Sequence, residues 1–330
     1  MEKIKYKAFI VEETSGKNFS HAVKEANSDD LPQGEVLIRV KYSSLNYKDA
    51  LSATGNKGVT RKYPHTPGID AAGIVEQSLV PGFKKGDFVI VTSYDLGMNT
   101  SGGFGQYIRV PAGWVVPLPK GLSLEQSMIL GTAGFTAAMS VEQLICKVTP
   151  AQGTILVTGA TGGVGSLACA ILVKLGYTVD AVSGKPDTGF LEGLGVKEVI
   201  ARDKFLEKTG PPILKPRWAG VIDTVGGDIL ATAIKSTDAW GVVTCCGNVA
   251  SPDLPINVFP FILRGVSLIG IDSQHCPMPL RQTLWENLST DWKPKMLESM
   301  VTRVSLEKIG TRIEQILKGQ LRGRTLVDLG

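Results

Sequence analysis

Cysteine and histidine are scarce in this chain of 330 residues, which has five of the first and three of the second. Cys146, Cys169, Cys245, Cys246 and Cys276 form an odd set without paired spacing, so a disulfide framework is excluded and each reads as a small buried hydrophobe. His21, His65 and His275 are scattered and read as structural or solvent-facing. Blocks of like charge are absent too. The 35 basic and 31 acidic side chains are dispersed, with no aromatic-basic interleaving to grip a polyanion, and no nucleic-acid partner is expected. Apolar runs fall short of the ~20 residues that span a bilayer, and Ala8 to Val11 is too brief for a signal-peptide core. The expectation is a cytoplasmic protein without a membrane partner. Repeats and low-complexity tracts are also missing. With 43% hydrophobic residues, the length suffices for two domains.

What is present centres on residues 154 to 166, where Thr-Ile-Leu-Val-Thr breaks into Gly-Ala-Thr-Gly-Gly-Val-Gly-Ser. The order departs from the usual G-x-G-x-x-G, yet its context is that of a dinucleotide loop. An Ile-Leu-Val strand precedes it, an apolar helix pattern from Leu167 to Leu175 follows, and a second strand over Thr178 to Val182 closes a βαβ unit. Gly159, Gly162, Gly163 and Gly165 would let the backbone approach a pyrophosphate, with Thr161 and Val164 between them, and the helix from Gly163 would aim its free N–H groups at the phosphates.

The tip of the second strand indicates which dinucleotide. An NAD site places a carboxylate there for the ribose 2′-hydroxyl, whereas this chain has Ser183, Gly184 and Lys185, with Arg202 ending the next strand pattern. Asp180 shares a face with Val182 and falls short of the tip. A hydroxyl and two cations suit a 2′-phosphate, so NADPH is the expected cofactor.

Three segments differ in pattern. Residues 1–125 carry short strands (Glu35 to Tyr42, Ile69 to Glu76, Asp87 to Thr92, Tyr107 to Val110, Val115 to Leu118) punctuated by Gly and Pro, which predicts a compact, mostly antiparallel β domain. Residues 126–270 alternate strand and helix and predict a doubly wound parallel sheet. Residues 271–330, with helices around Leu280 to Leu288 and Leu306 to Leu317 and a strand at Arg324 to Leu329, are expected to return to the first domain.

Six ordered stretches then carry a resemblance along the whole chain: Ser43-Ser44-Leu45-Asn46-Tyr47-Lys48-Asp49, Pro67-Gly68-Ile69-Asp70-Ala71-Ala72-Gly73, Gly131-Thr132-Ala133-Gly134-Phe135-Thr136-Ala137, Asp223-Thr224-Val225-Gly226-Gly227, Pro260-Phe261-Ile262-Leu263-Arg264 and Gly323-Arg324-Thr325-Leu326-Val327. Together they resemble the medium-chain dehydrogenase/reductases, in the zinc-free quinone oxidoreductase branch and its acrylyl-CoA reductase (YhdH/YhfP-type) subfamily. The implied fold class is α/β, a GroES-like β-rich catalytic domain over 1–125 and 271–330 and a Rossmann domain over 126–270.

Zinc members of that superfamily carry a cysteine on the early loop and a Gly-His-Glu segment, because catalytic zinc needs about three protein ligands. Here those places read Asn46-Tyr47-Lys48-Asp49 and Gly68-Ile69-Asp70, and His65 with Asp70 is too small a set. No metal is expected, which turns the chemistry from carbonyl reduction to hydride addition onto an activated C=C or a quinone. The resemblance implies that Tyr47, Asn46 and Asp49 lie on the active-site loop, with Tyr47 as hydrogen-bond or proton donor also touching NADPH, and Asn46 as a polar positioner. An alternative for Asp49 is a capping carboxylate.

The resemblance also implies cofactor contacts at Thr132, Thr136, Asn248, Ile262 and Ser273, and a basic clip at Arg322-Gly323-Arg324. Asn248 departs from the family's apolar residue, so only its backbone is carried over. Lys57, Arg61 and Lys62 are candidates for the phosphates of a CoA thioester. The stretch Pro260 to Val266 resembles the edge through which relatives form homodimers. The leading function is reduction of a short enoyl thioester such as acrylyl-CoA, a small-molecule electrophile. Reduction of small quinones or enones, and a non-catalytic NADPH-binding sensor, are the alternatives.

Overall fold

The computed structural model describes residues 3–15, 18–186, 188–207 and 209–330. They divide into two compact units. The first comprises the chain up to Thr132 with Gln274–Ser289 and Leu297–Gly330, the second Ala133–Ser273 with Thr290–Met296. The protein is α/β.

In the first unit a seven-stranded sheet runs in the order Val301–Ser305, Arg324–Asp328, Val36–Ser44, Asp70–Ser78, Phe88–Thr92 and Val115–Pro117, with Tyr107–Val110 also paired to Val36–Ser44. All pairs are antiparallel except the first, where Val301 to Ser305 lies parallel to Arg324 to Asp328. Alternation along these strands drives Ile38, Val40, Val75, Val89 and Val91 into one core with Phe104, Ile108 and Val327. Each such side chain contributes ~1.5–3 kcal/mol when removed from water. Two elements had no clear signal in the sequence, the hairpin of Lys5–Glu13 with Phe19–Asn27 and the strand Val301–Ser305. Phe19–Asn27 is exposed along most of its length, so no alternation is imposed on it.

In the second unit six parallel strands lie in the order Glu198–Ala201, Val179–Ser183, Ile155–Thr158, Trp218–Asp223, Thr237–Cys245 and Ser267–Gly270. Numbered along the chain this is 3-2-1-4-5-6, the doubly wound arrangement whose order reverses beside Ile155–Thr158. Strands buried on both faces read as unbroken apolar runs, as Ile155–Thr158 and Trp218–Asp223 do. The core holds Leu156, Val182, Val221, Ile229, Ile234 and Val243.

Leu124–Ile145 is, among the described helices, long and apolar enough to cross a membrane, but 78% of that stretch is buried. Gly131 breaks it with φ 53° and ψ −157°.

Candidate active site

In the second unit a nucleotide site is built at the point where the sheet order reverses. Gly159 leaves the Ile155–Thr158 strand with φ 59°, and a Cβ there would lie 2.3 Å from Thr224 Oγ1. Gly162 caps the Gly163–Lys174 helix and donates its N–H to Gly159 O (2.9 Å). A Cβ on Gly165 would come within 2.4 Å of Gly159 O, so helix and turn touch backbone to backbone. Thr161 is buried beside them. The turn is held from the neighbouring strand, where Thr224 Oγ1 donates to Thr158 O (2.9 Å) and Thr158 Oγ1 to Asp223 Oδ1 (2.6 Å). The other oxygen of Asp223 accepts the N–H groups of Val225 (3.1 Å) and Gly226 (2.8 Å). Burial pushes the Asp223 carboxyl above its ordinary range. Gly226 (φ 78°) lets this loop approach Gly247 and the exposed Asn248, whose Cα would be 3.2 Å from an added Cβ.

Ser183 stands opposite Ala201, which brings Arg202 to the strand tip. A Cβ on Gly184 would lie 3.1 Å from Arg202 Cζ, and Lys185 N donates to Ser183 Oγ (3.0 Å). Ser183, Gly184, Lys185 and Arg202 are thus gathered in one place. Asp180 is buried away from the tip, taking the Trp218 indole N–H at 3.0 Å. In the same unit Thr136 Oγ1 donates to Ser273 Oγ (2.9 Å). Ile262 lies exposed on the short helix Phe259–Arg264. Lys185→Ala and Arg202→Ala should each weaken NADPH by roughly tenfold, the value of one charge-assisted bond, and leave NADH nearly unaffected. Fluorescence titration with both coenzymes reads this, and equal losses for the two would remove the 2′-phosphate assignment.

The first unit supplies a second constellation, centred on Asp70. Its buried carboxylate takes Ser44 Oγ (2.5 Å), Asn46 Nδ2 (2.7 Å), and both the N–H and the hydroxyl of Thr132 (2.9 and 2.6 Å). The break at Gly131 makes this possible, since a Cβ there would sit 2.5 Å from Asp70 Oδ2 and from Ser44 Oγ. Asp70 was missed as a site residue, although its motif was read. The signal was the glycine followed by threonine inside a helical pattern.

Arg324 belongs to the same cluster. Its guanidinium is buried and donates to Ile129 O (2.9 Å), Ser44 Oγ (2.8 Å), Leu45 O and Asn46 Oδ1 (3.3 Å each), so it braces the Asp70 cluster. Thr132 is likewise directed to Asp70. Asp49 occupies the capping position that was its alternative reading. Fully buried, it accepts the N–H of Asn46 (2.7 Å) at the start of the Tyr47–Ala53 helix and of Ile69 (2.8 Å). Asn46 bridges the two carboxylates. Lys57 is paired with Glu13 (2.7 Å) and lies over the Tyr63 ring.

Tyr47 differs from all of these. It is 39% exposed, at the first position of its helix, and its hydroxyl has no hydrogen-bond partner among the described residues. The side chain is therefore presented rather than packed.

Burial, reinforced by the charge of Asp70, pushes the Asp49 carboxyl up to about 7. A folded-state value above the unfolded one stabilises the protonated form, so this contribution is complete below about pH 4 and is lost as pH rises through about 7. Denaturant unfolding between pH 4 and 8 should show that decline, and Asp49→Asn should flatten it.

A parallel sheet with a glycine turn at its reversal point, in a chain that also carries a β-rich unit presenting polar donors, defines a nucleotide-dependent oxidoreductase of two-domain type. Sequence comparison makes this specific. The family model described as alcohol dehydrogenase GroES-like domain matches residues 32–120, and the one described as zinc-binding dehydrogenase matches 163–290. The putative quinone oxidoreductase YhfP of Bacillus subtilis is 45% identical over 96% of this chain and 97% of its own. Acrylyl-CoA reductase AcuI of Ruegeria pomeroyi is 44% identical over 98% and 99%. The YhdH oxidoreductase of Salmonella enterica, solved in complex with NADP, superposes with a TM-score of 0.95 at 41% identity, over 98% of this chain and 100% of that one. The chain belongs to the medium-chain dehydrogenase/reductases, in the group that holds these quinone oxidoreductases and acrylyl-CoA reductases. One solved relative, YhfP of Bacillus subtilis (43% identity, TM-score 0.96, covering 99% and 100%), has NAD bound.

The name of the second family model raises the question of zinc. Among the described residues no three His, Cys, Asp or Glu side chains gather as a metal site requires. Asp70, at the position where the notional ligand segment falls, is saturated by four donor groups from Ser44, Asn46 and Thr132. These residues do not fit a catalytic zinc.

Proposed function

We propose that the chain is an NADPH-dependent, zinc-independent reductase of electron-poor alkenes, acting on a short enoyl thioester of the acrylyl-CoA kind. The observation that carries the chemistry is Tyr47, an exposed phenol with an uncommitted hydroxyl beside an Asn46 held by Asp70. When bound, the nicotinamide supplies a hydride to the β-carbon of the acceptor. Negative charge then develops on the acceptor's carbonyl oxygen, and the Tyr47 hydroxyl donates a hydrogen bond there. The consumed proton comes from solvent, by way of that hydroxyl, to the α-carbon. Asn46 holds the start of the helix in place, and Gly159 to Gly165 with Ser183, Lys185 and Arg202 receive the pyrophosphate and the 2′-phosphate. Thr136, Asn248 and Ser273 are assigned to the nicotinamide side by family position.

The name of the Bacillus relative supports a second reading, reduction of small quinones. Following NADPH absorbance against acryloyl-CoA, crotonyl-CoA, simple enones and quinones separates the two. A kcat/KM for acryloyl-CoA at least roughly tenfold above the rest is expected. Preference for quinones selects the second reading, and no turnover with any acceptor leaves the sensor.

The sheet-edge strand Ser267–Gly270, flanked by Phe259, Ile262 and Leu263 at 41%, 67% and 65% exposure, supports a homodimer through that edge. In sedimentation Leu263→Asp should convert a dimer to a monomer; an unchanged species would move the interface elsewhere. The burial of 78% of the apolar stretch in Leu124–Ile145, as in the core helix of a soluble protein, supports a cytoplasmic location.

A further inference from the structure

Arg281, on the Met278–Ser289 helix, is completely buried, which is costly for a cation and calls for a reason. Its Nη1 donates to Thr92 O (3.1 Å) and Thr92 Oγ1 (3.0 Å), its Nη2 to Gln274 O (3.4 Å). The guanidinium carbon lies 4.4 Å from the centroid of the Tyr94 ring, and that ring stacks on Trp114 at 5.4 Å with 5° between planes. Between these anchors Ser93 and Tyr94 are consecutive non-glycine residues in the left-handed region, with φ of 65° and 51°. Such a pair persists only where its surroundings over-determine it.

The turn delivers Ser93 to two places. Its N–H donates to Ile69 O (2.8 Å), and Ile69 in turn donates to Asp49. Its hydroxyl lies 3.0 Å from Thr132 Oγ1, and because the Thr132 proton goes to Asp70, Ser93 is the donor. Both routes end on Asn46, one through each carboxylate.

We propose that Arg281 is a positioning residue for catalysis: by clamping the Thr92–Tyr94 turn it sets the Ser93, Thr132, Asp70 chain that fixes Asn46 and hence the presentation of Tyr47. This rests on the reading of Tyr47 and Asn46 given above. The test is a double-mutant cycle of Arg281→Met and Ser93→Ala, assayed well below the unfolding midpoint of each variant, with amide hydrogen exchange at Asn46 and Thr132 as a readout independent of turnover. Each single variant should lower kcat by about tenfold or more, the consequence of a misplaced group, with KM for NADPH within about twofold. The double variant should lose no more than Arg281→Met alone, and exchange at both amides should quicken. Wild-type kcat in the folded variants, losses that multiply, or unchanged exchange would each overturn the clamp. If Arg281→Met does not fold, Tyr94→Gly, which relieves the turn and removes the ring, takes its place under the same criteria. A wild-type enzyme inactive with every acceptor would fell the functional reading instead, while the exchange data still decide on the clamp.

Discussion

Tyr47→Phe should lower kcat by about a hundredfold, the range of a lost proton donor or oxyanion partner, with KM for NADPH little changed. The phenol is exposed and its hydroxyl bonds to no described residue, so its removal leaves no buried group unsatisfied and stability should hold. The cofactor loop lies on a different strand set, around Gly159 to Gly165, and is untouched by the substitution. Steady-state kinetics with an enoyl thioester, together with NADPH titration and a melting curve, distinguishes the outcomes. Equal losses of turnover and NADPH affinity would reassign Tyr47 to cofactor binding. Unchanged turnover would pass the donor role to another group.

The largest effect on stability is expected at Arg324. Its guanidinium serves Ser44, Leu45, Asn46 and Ile129, and its Nη2 lies 3.9 Å from Asp70 Oδ2. Burial draws its pKa below the ordinary arginine value, against the pull of Asp70 and Asp49, so the charge is kept by its neighbours. Arg324→Leu would leave two buried carboxylates without that cation and several carbonyls without donors. Breaking a buried pair by removing one partner costs ~3–5 kcal/mol. Chemical denaturation should therefore show a loss of that size, and activity should fall with it because Asn46 loses a bracing bond. A loss below about 1 kcal/mol, the scale of an exposed ion pair, would mean that the cluster is hydrated and easily rearranged.

The nucleotide half was legible because its signals are local. The run Ile155 to Thr158, the glycines after it and the βα alternation lie within one stretch of chain, and strand alternation alone separated Ser183 and Lys185 from Asp180. Arg202 was also reached this way, since Glu198–Ala201 is short and its end is plain. The other half was read only in part. Asn46 and Tyr47 stood out as the residues replacing a metal ligand, but what holds them did not. Asp70, Gly131 and Arg324 meet only in three dimensions, as the separation of 280 residues between Ser44 and Arg324 illustrates. A charged side chain in a strand or helix pattern reads as an exposed one, so the burial of Arg324 and Arg281 was hidden, whereas capping was already one of the two readings open for Asp49. Helical periodicity likewise gave no warning that Gly131 breaks its helix and turns the Thr132 N–H toward a carboxylate.

Hydride transfer from NADPH should proceed here without a metal. NADPH oxidation by an enoyl thioester should be measured before and after exhaustive dialysis of the enzyme against a strong zinc chelator. Full retention of the rate, with metal below stoichiometric amounts by elemental analysis, is the expected result. Abolition of the rate by the chelator, with recovery on adding zinc, would contradict it.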